Sequence, residues 1–403
     1  MIRADQKLPR SFGWLNAAQF GGALNDNVFR LLVVFFLIAL KGREAVSWIN
    51  AVVGAVFVAP FLLFTPLAGA LADRYSKRSI TLVVKALETL AMSLAILMFY
   101  WESEWLAYGV VFLMSTQSAL FGPSKYGIVP ELVGRERLSR GNSLIVSYTY
   151  LAIICGMALA PTLSRWLDGD YVWAAAFCLI IAVAGWGAAT RIELTPQQAS
   201  GPVGRTTDWR AMRQALRHIR ADRTLAWSIW TAAYFLLLGG FVQLNLIPYG
   251  LEMLGISEQG SAYIFLLAAL VIGLGAWGVG RLSGRRIALH WVPWAMWGAG
   301  ASCLGLMRLY GSLWWVCGVV FLLGICAGFF IVPLEACIQA RSADAERGKI
   351  LAAKGFLAWV GVLIASGLLY LFAEVWQISP AQSFGVMGVL TLLLGVGTYR
   401  VFA

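Results

Sequence analysis

The chain is poor in charge: only 13% of its 403 residues are Asp, Glu, Lys or Arg, whereas 60% are hydrophobic. A soluble globular domain carries about 25% charged residues, so the composition excludes an ordinary soluble enzyme or binding domain. Short motifs of several enzyme classes are absent as well. No Walker A sequence, Gly-x-Ser-x-Gly elbow or Cys-x-x-Cys pair occurs, and neither of the two histidines begins a His-x-x-x-x-Asp motif. ATP hydrolysis, a metal site and a disulfide framework are therefore not predicted.

Long hydrophobic runs dominate the chain instead. Twelve runs reach about 20 residues, the length that a helix needs to cross a bilayer. The sequence therefore predicts an all-α membrane protein with twelve transmembrane helices, and the first run is too long for the apolar region of a cleavable signal. The predicted spans are 12–40, 46–71, 79–100, 104–123, 141–163, 171–190, 225–251, 260–280, 287–308, 313–334, 350–373 and 382–402.

The loops between these spans alternate in charge. Loops after even-numbered spans are basic, as at Arg74, Lys77 and Arg78, whereas loops after odd-numbered spans are richer in acids, as at Glu102 and Glu104. The positive-inside rule then places both termini in the cytoplasm, which requires an even number of spans. The formal charge of +11 belongs to these loops, so it does not predict a nucleic-acid partner.

A polar stretch at 191–224 separates a predicted N-terminal six-helix bundle, 1–190, from a C-terminal six-helix bundle, 225–403. Its second part places apolar and basic residues on adjacent stripes of one helix. The basic residues are Arg210, Arg213, Arg217 and Arg220. This pattern predicts an amphipathic basic helix on the anionic inner leaflet, although a linker that is merely basic fits equally well.

The two predicted halves repeat one another. The segment at Gly69 after the second span has a counterpart at Gly280 after the eighth, and the Phe–Pro segment that ends at Pro123 has a counterpart that ends at Pro333. Repeats of the same orientation are typical of secondary transporters. In such proteins the solute is expected near mid-membrane, between two pseudo-symmetric bundles.

The first span carries an acid and a base near its middle. Asp26 and Arg30 are four residues apart on a polar stripe that also includes Asn16 and Gln19, so they can touch. Each such charge costs roughly 2.5–3.5 kcal/mol at the centre of an inserted helix, and a polar stripe faces protein or water rather than lipid. The stripe predicts one wall of a solute cavity, and the alternative is a structural ion pair.

A second pair of opposite charges lies in the third span. Lys85 and Glu88 are three residues apart, so they share one face of the predicted helix and can neutralise each other. We interpret them as a buried structural pair rather than as part of a transport path.

The loop after the second span carries the most specific motif. Its residues are Gly69, Asp73, Arg74, Lys77 and Arg78. The pattern resembles the Gly-x-x-x-Asp-Arg-x-x-Lys/Arg-Arg gating loop of the major facilitator superfamily, with Ser76 where that family often has glycine. The resemblance implies the major facilitator fold, and a cytoplasmic latch at Asp73 and Arg74 that holds the outward-open state. The second-half counterpart has Gly280 in place of the acid, which implies a weaker latch.

Two further segments narrow the resemblance. Residues 16–27 and 122–132 look like the matching first-span and fourth-span segments of the bacterial lysophospholipid transporters, a branch of the same superfamily. That branch moves lysophosphatidylethanolamine inward across the inner membrane for reacylation. The resemblance therefore implies a lysophospholipid flippase of the bacterial inner membrane that works by alternating access. We further expect a monomer without a cofactor and consider an acyltransferase as its partner, although the sequence itself carries no signal for oligomeric state or for that partner.

The resemblance implies two of the residues that bind the head group, and the chemistry of the head group suggests the others, including Glu335, which departs from the pattern of the branch. Asp26 matches the first-span acid of the branch, and Lys125 matches the base at the end of its fourth span. The base that the branch has in its seventh span is missing here, so Arg30 is expected to supply that charge. Carboxylates suit the ammonium of an ethanolamine head group, so Asp26 and Glu335 are expected to bind it. Arg30 and Lys125 suit the phosphate. Further contacts are expected from Asn27, Gln19, Gln117, Gln243 and Asn245.

Three alternatives stay open from the sequence. A proton-coupled drug or metabolite antiporter of the same fold would use Asp26 or Glu335 as its proton carrier, and a protonophore would then abolish transport. A membrane enzyme such as an acyltransferase would need the motifs whose absence is described above. A transport-dead sensor or scaffold is disfavoured by the charges inside the spans.

Overall fold

The computed structural model describes residues 8–196, 213, 217, 219–284 and 286–402, and within them the chain is helical without strands. Twelve long helices in this part coincide closely with the predicted spans, which confirms the all-α architecture. They are α1 (Arg10–Lys41), α2 (Val46–Arg74), α3 (Lys77–Tyr100), α4 (Glu104–Gly127), α5 (Leu138–Trp166), α6 (Tyr171–Thr190), α7 (Arg223–Met253), α8 (Glu258–Leu282), α9 (Trp291–Arg308), α10 (Leu313–Arg341), α11 (Arg347–Tyr370) and α12 (Pro380–Phe402).

By length and composition, eleven of the described helices are able to cross a membrane. The remaining long helix, α9, has 18 residues and carries Trp291, Trp294 and Trp297. The predicted amphipathic helix within 191–224 falls almost entirely outside the described residues.

Two helices extend furthest past the C-terminal ends of their predicted spans. α4 continues past Pro123 to Gly127, and α10 continues past Pro333 to Arg341. Helices of membrane proteins tolerate proline because neighbouring groups satisfy the freed carbonyls. A five-residue helical segment, Val129–Val133, follows α4. Lys125 therefore lies in the last turn of a helix rather than in a loop.

Short polar side chains fix the starts of several helices. Asp170 accepts hydrogen bonds from the first turn of α6, Asp222 from Leu225 N at 3.1 Å in α7, and Ser257 from the first turn of α8. Burial acts to raise the pKa of the Asp222 carboxyl, but its hydrogen bonds from Leu225 and Arg341 outweigh burial and hold that pKa below the usual value.

The described residues group into two compact units. Unit 1 lies within Met1–Gly134, Ala152–Leu216 and Ala343–Phe356, and unit 2 lies within Arg135–Leu151, Arg217–Ser342 and Leu357–Ala403. The units differ from the two predicted halves in two places. The first turns of α5 belong to unit 2, and the first turns of α11 belong to unit 1. The predicted division at 191–224 stays a prediction.

The same helix pairs pack in each unit. In unit 1, α2 packs on α4, α3 packs on α4 and α6, and α1 packs on α6. In unit 2, α8 packs on α10, α9 packs on α10 and α12, and α7 packs on α12. Each pair in unit 2 is the unit 1 pair shifted by six helices, so the packing reproduces the internal repeat that the sequence predicts.

Apolar cores determine which side of α1 remains for polar groups. Val28, Phe29 and Leu32 are buried in the core of unit 1, where Phe29 meets Phe99 edge-to-face at 6.3 Å. Because α1 repeats every 3.6 residues, this leaves Asp26 on another, half-buried side of the helix.

Eight of the exposed tryptophans in the described part of the chain lie at or beside helix ends, next to the loops that follow odd-numbered helices. Trp105 near the start of α4 is 82% exposed and Trp314 near the start of α10 is 85% exposed. The others are Trp48, Trp101, Trp166, Trp173, Trp315 and Trp376. Tryptophan is enriched at membrane–water interfaces, so these positions mark where each helix leaves the hydrocarbon.

Candidate functional site

The polar stripe of α1 divides into a buried part and a half-buried part. Asn16 and Gln19 are 6% and 2% exposed, and the Asn16 amide donates to Phe12 O at 3.1 Å. Asp26 and Arg30, further along the helix, are half-buried. The accessible polar surface of this helix is therefore centred on its acid and its base.

Helix α4 holds the Asp26 carboxylate in place. Ser118 Oγ donates to Asp26 Oδ2 at 2.6 Å, and Gln117 Nε2 donates to Asp26 Oδ1 at 3.4 Å. Gln117 is 1% exposed and also donates to Ser118 Oγ at 2.7 Å. The structure thus brings together two predicted residues, Asp26 and Gln117, and adds Ser118, which the sequence analysis missed.

Arg30 makes a different contact from the one that its spacing suggests. Its guanidinium carbon lies 5.1 Å from the centre of the Phe57 ring of α2, a cation–π contact. Among the described residues, the ion pairs do not include one between Asp26 and Arg30. The touching pair that helical spacing allows is therefore not formed, because the carboxylate bonds to α4 and the guanidinium stacks on α2.

Asn27, beside the acid, faces its own helix and α5. Its amide donates to Ala23 O at 2.8 Å, and a methyl group added to Gly156 would lie 2.7 Å from Asn27 Cβ. Gly156 thus permits the close approach of α5 to α1 at this level of the membrane.

A fully buried ion pair lies behind the stripe. Lys85 Nζ and Glu88 Oε2 are 2.6 Å apart and both side chains are 1% exposed, which confirms the pairing predicted for α3. Asn25 of α1 donates to Glu88 Oε1 at 3.1 Å and to the Cys178 carbonyl at 2.9 Å. Gly22 makes room for the pair, because a methyl group there would overlap Lys85 Nζ.

The end of α4 carries a cluster of two lysines and a tyrosine. Lys125 Nζ lies 5.4 Å from the centre of the Tyr126 ring, and Lys354 Nζ of α11 lies 4.5 Å from it. Lys354 is 8% exposed and belongs to unit 1. The sequence analysis missed Lys354, although a lysine inside a hydrophobic run is the same signal that identified Asp26.

The gating loop is bound to the start of α11. Asp73 accepts hydrogen bonds from the backbone N–H groups of Gly348 and Lys349, the second at 3.1 Å. The first N–H groups of a helix have no partners within it and carry partial positive charge, so a carboxylate is stabilised there. Gly69 lies one turn before Asp73, where an added methyl group would overlap the Ala352 methyl.

The basic residues of this loop have separate contacts. Lys77, 1% exposed, pairs with Glu131 of the helical segment after α4. Arg78 donates to Ile192 O at 3.0 Å and to Thr190 O at 3.1 Å. Arg74 is exposed and lies over the ring of its neighbour Tyr75 at 5.2 Å. Lys77 thus joins two of the three sequence segments on which the family resemblance rests.

The second-half counterpart of the gating loop packs by a different means. Gly280 stands where the first half has Asp73, and a methyl group at Gly280 would overlap the Ser143 hydroxyl of α5. Ser139 and Ser283 share a hydrogen bond of 2.5 Å beside it. Close backbone approach in unit 2 therefore takes the place of the carboxylate cap found in unit 1.

The predicted residues of unit 2 differ in exposure. Gln243 is exposed on α7, whereas Asn245 is 1% exposed and donates to Pro380 O at 2.8 Å. Glu335 is 3% exposed in α10. Their roles in binding stay predictions, and the hydrogen bond of Asn245 gives that residue a structural task between α7 and α12.

Comparison with known proteins places this architecture in a family. The chain matches the model of the Major Facilitator Superfamily over residues 15–296. It is 26% identical over 395 residues to the Lysophospholipid transporter LplT of Enterobacter sp. (strain 638), covering 96% of this chain and 92% of that protein. It is 27% identical over 396 residues to the LplT of Klebsiella pneumoniae (strain 342), with 96% and 91% covered.

Solved structures share the fold at lower sequence identity. The human organic anion transporter MFSD10 superposes with a TM-score of 0.79 at 16% identity, over 97% of this chain and 100% of that chain. A bacterial homologue of the iron transporter ferroportin in an outward-facing state gives 0.76 at 16% identity, over 98% of both chains. The Escherichia coli fucose:proton symporter FucP gives 0.75 at 14% identity, over 97% and 98%.

Proposed function

Because the chain belongs to the major facilitator superfamily and is a multi-pass membrane transporter rather than an enzyme, we propose that it moves lysophospholipids inward across a bacterial inner membrane. Relatives that cover nearly the whole chain carry the name lysophospholipid transporter, which supports this substrate class. The transporter works by alternating access, as a monomer whose termini are cytoplasmic. An acyltransferase that consumes the lysolipid is its expected partner.

The observation that carries the proposal is the separation of opposite charges on α1. Asp26 and Arg30 are one turn apart and half-buried, yet the acid bonds to Ser118 and Gln117 rather than to the base. Because the acid and the base do not bond directly to each other, each keeps hydrogen-bonding positions for an opposite charge of a ligand. A lysophosphatidylethanolamine head group offers both an ammonium and a phosphate.

The spacing along α4 fits such a head group. Ser118, which holds Asp26, and Lys125 are seven residues apart, so they lie on the same face of α4 about 10 Å apart along its axis. Side chains of a helix lean toward its N-terminus, which brings the lysine ammonium nearer to Asp26. In the proposal, Asp26 binds the ammonium, while Arg30 and Lys125 bind the phosphate.

The gating loop supplies the control of access. The Asp73 carboxylate caps the start of α11, and Gly69 and Gly348 allow α2 and α11 to approach closely. In the proposal, these contacts form in the outward-open state and separate when the transporter opens to the cytoplasm.

Uptake into proteoliposomes tests the proposal. Purified protein is reconstituted, and the uptake of radiolabelled lysophosphatidylethanolamine is compared for the wild type, Asp26→Ala and Glu252→Ala, a carboxylate variant on the exposed surface of α7. A hydrogen bond to a charged group contributes about 1.5–3 kcal/mol, so Asp26→Ala is expected to reduce uptake about tenfold or more, with Glu252→Ala unchanged.

Two outcomes would contradict the proposal. Undiminished uptake by Asp26→Ala would remove Asp26 from the binding site. Uptake that disappears when a protonophore is added, with proton movement matched to substrate, would favour the proton-coupled antiporter of the same fold.

A further inference from the structure

An apolar cavity lies within unit 2, between α7, α9, α11 and α12, and its volume is about 280 Å³. Ligand pockets of proteins measure about 300–1,000 Å³, so this cavity has space for one apolar segment of a ligand. Its walls are mostly aromatic and aliphatic side chains, among them Trp227, Trp230, Leu237, Val360, Ile364 and Leu394. We refer to it as the α7 cavity.

Two of the three hydroxyl groups in the wall of the α7 cavity bond within the protein. Tyr234 shares a hydrogen bond of 2.6 Å with Thr391, and Thr398 Oγ1 donates to Gly395 O at 2.9 Å. These bonds leave mainly apolar surface to an occupant, so the chemical class that fits is a hydrocarbon chain.

The length of the α7 cavity matches the depth of one lipid leaflet. Its lining on α7 runs from Trp227 to Leu237, which is about 15 Å along the helix axis at 1.5 Å per residue. The hydrocarbon core of a bilayer is about 30 Å thick, so the cavity spans about half of it. Trp230, Ile364 and Leu394 are exposed at its rim, so an acyl chain can enter the cavity from the side.

Two arginines lie at the end of the α7 cavity that the proposed topology places at the cytoplasmic surface. Arg223 begins α7 one turn before Trp227, on the same face of the helix. Arg400 is in the last turn of α12, three residues after Gly397, and a methyl group added to Gly397 would lie 2.9 Å from the Trp227 ring. Both arginines are exposed, so positive charge lies beside the apolar cavity.

We propose that the α7 cavity binds one acyl chain of an anionic phospholipid of the surrounding membrane, and that Arg223 and Arg400 bind the head group of that lipid. Lipid tails are as apolar as the lining, so the chain alone gives little preference between lipids. The head group supplies the preference, because basic residues at the membrane surface attract anionic lipids. The acid next to Arg223, Asp222, is paired with Arg341 at 2.9 Å, so this rim keeps a net positive charge.

The inference goes beyond the proposed function, because the bound lipid is a constituent of the membrane rather than the transported solute. It assigns a second lipid site to unit 2, whereas the residues proposed to bind the ammonium and the phosphate of the solute, Asp26, Arg30 and Lys125, belong to unit 1.

Lipid binding measured by native mass spectrometry tests the head-group assignment. Detergent-purified protein is titrated with phosphatidylglycerol, which is anionic, and with phosphatidylcholine, which is zwitterionic and carries the same chains. The wild type is expected to prefer phosphatidylglycerol. Arg223→Gln and Arg400→Gln are each expected to weaken phosphatidylglycerol binding about fivefold and to leave phosphatidylcholine binding unchanged. Arg308→Gln is the matched control, because that exposed arginine ends α9 outside the cavity.

A cavity-filling variant tests the assignment of the acyl chain. Val360→Phe places a larger side chain in the α7 cavity and is expected to weaken the binding of both phospholipids. Leu363→Phe is its control, because Leu363 is an exposed residue of the same helix that does not line the cavity.

Three results would overturn the inference. A preference for phosphatidylglycerol that persists in both arginine variants would remove the head-group site. Equal binding by Val360→Phe and Leu363→Phe would remove the acyl chain from the cavity. Displacement of bound phosphatidylglycerol by an equal concentration of lysophosphatidylethanolamine would assign the cavity to the transported lipid instead of a membrane phospholipid.

Discussion

At the scale of single residues, Asp26 shows how a charge is kept inside a membrane-spanning helix. An ionised carboxylate has about four acceptor positions, and donors from Gln117 and Ser118 use two of them. These bonds offset part of the cost of burial and fix the direction of the carboxylate. Acceptor capacity remains for a further donor, which is what the proposed ammonium-binding role of Asp26 requires.

A neighbouring ion pair leaves no room for a side chain at Gly22. In Gly22→Ala the new methyl group would overlap Lys85 Nζ, which cannot move aside without disturbing its contact with Glu88. Overpacking of this kind costs about 1–3 kcal/mol, so we expect a lower melting temperature in detergent. Gly13→Ala is the control on the same helix, because nothing lies within 4 Å of an added methyl group there. Equal melting temperatures for the two variants would contradict this account.

Sequence reasoning at this scale identified residue types better than it identified partners. Helical spacing placed Asp26 and Arg30 on one stripe, and both are indeed half-buried. The spacing did not reveal that Ser118 would bond to the acid and Phe57 would lie under the base, because those contacts depend on the packing of α1 against α2 and α4. Lys354 could have been identified as a charged residue inside a hydrophobic run, but no motif surrounds it.

At the scale of elements, the start of α3 connects to the helical segment after α4 through one buried ion pair. Lys77 is 1% exposed and Glu131 is 10% exposed, so each charge depends on the other for compensation. A methyl group at Gly127 would lie 3.0 Å from Lys77 Cε, so the absence of a side chain at this glycine leaves room for the lysine. The loop is thereby held to α4 by charge and by close packing together.

A charge exchange tests this connection. Breaking a buried ion pair by removing one partner costs about 3–5 kcal/mol, so Lys77→Glu and Glu131→Lys alone are each expected to lower the melting temperature clearly. The double variant restores opposite charges and is expected to recover much of the loss. A double variant that loses as much as the two single variants together would rule out the connection.

The exposed pair of Lys41 and Glu104 supplies the control for this exchange. Its side chains are 33% and 29% exposed, and an exposed ion pair contributes only about 0–1 kcal/mol. Lys41→Glu is therefore expected to change the melting temperature very little.

The bounds of the helices were largely predictable from the sequence. The assignment of helix ends to one compact unit or the other was not. Hydrophobic length located α6 at its observed bounds, Tyr171–Thr190, because an apolar run must be about as long as the bilayer is thick. The joining of residues 343–356 to unit 1 follows from Asp73 capping α11 and from Gly69 facing Ala352, which are contacts between segments far apart in the chain.

At the scale of the whole molecule, one packing scheme is used twice. α3 packs on α6 and α9 packs on α12, and the other pairs follow the same shift of six helices. The same internal repeat accounts for the counterpart of the gating loop at Gly280.

The proposed topology is testable with reporter fusions. Alkaline phosphatase fused after Glu102, in the loop between α3 and α4, is expected to be active, because the proposed topology places that loop outside the cytoplasm. The same reporter fused after Asp344, between α10 and α11, is expected to be inactive. A reversed pattern of activity would contradict the cytoplasmic placement of the termini.

The most direct test of the central claim is a comparison of two head groups in one binding experiment. Lysophosphatidylethanolamine carries an ammonium that lysophosphatidic acid lacks, so the wild type is expected to bind the former more tightly. In Asp26→Asn that preference is expected to disappear, because the variant keeps the shape of the side chain and loses its charge. A preference of the same size in Asp26→Asn would show that the ammonium is bound elsewhere, and the assignment of Asp26 would fail.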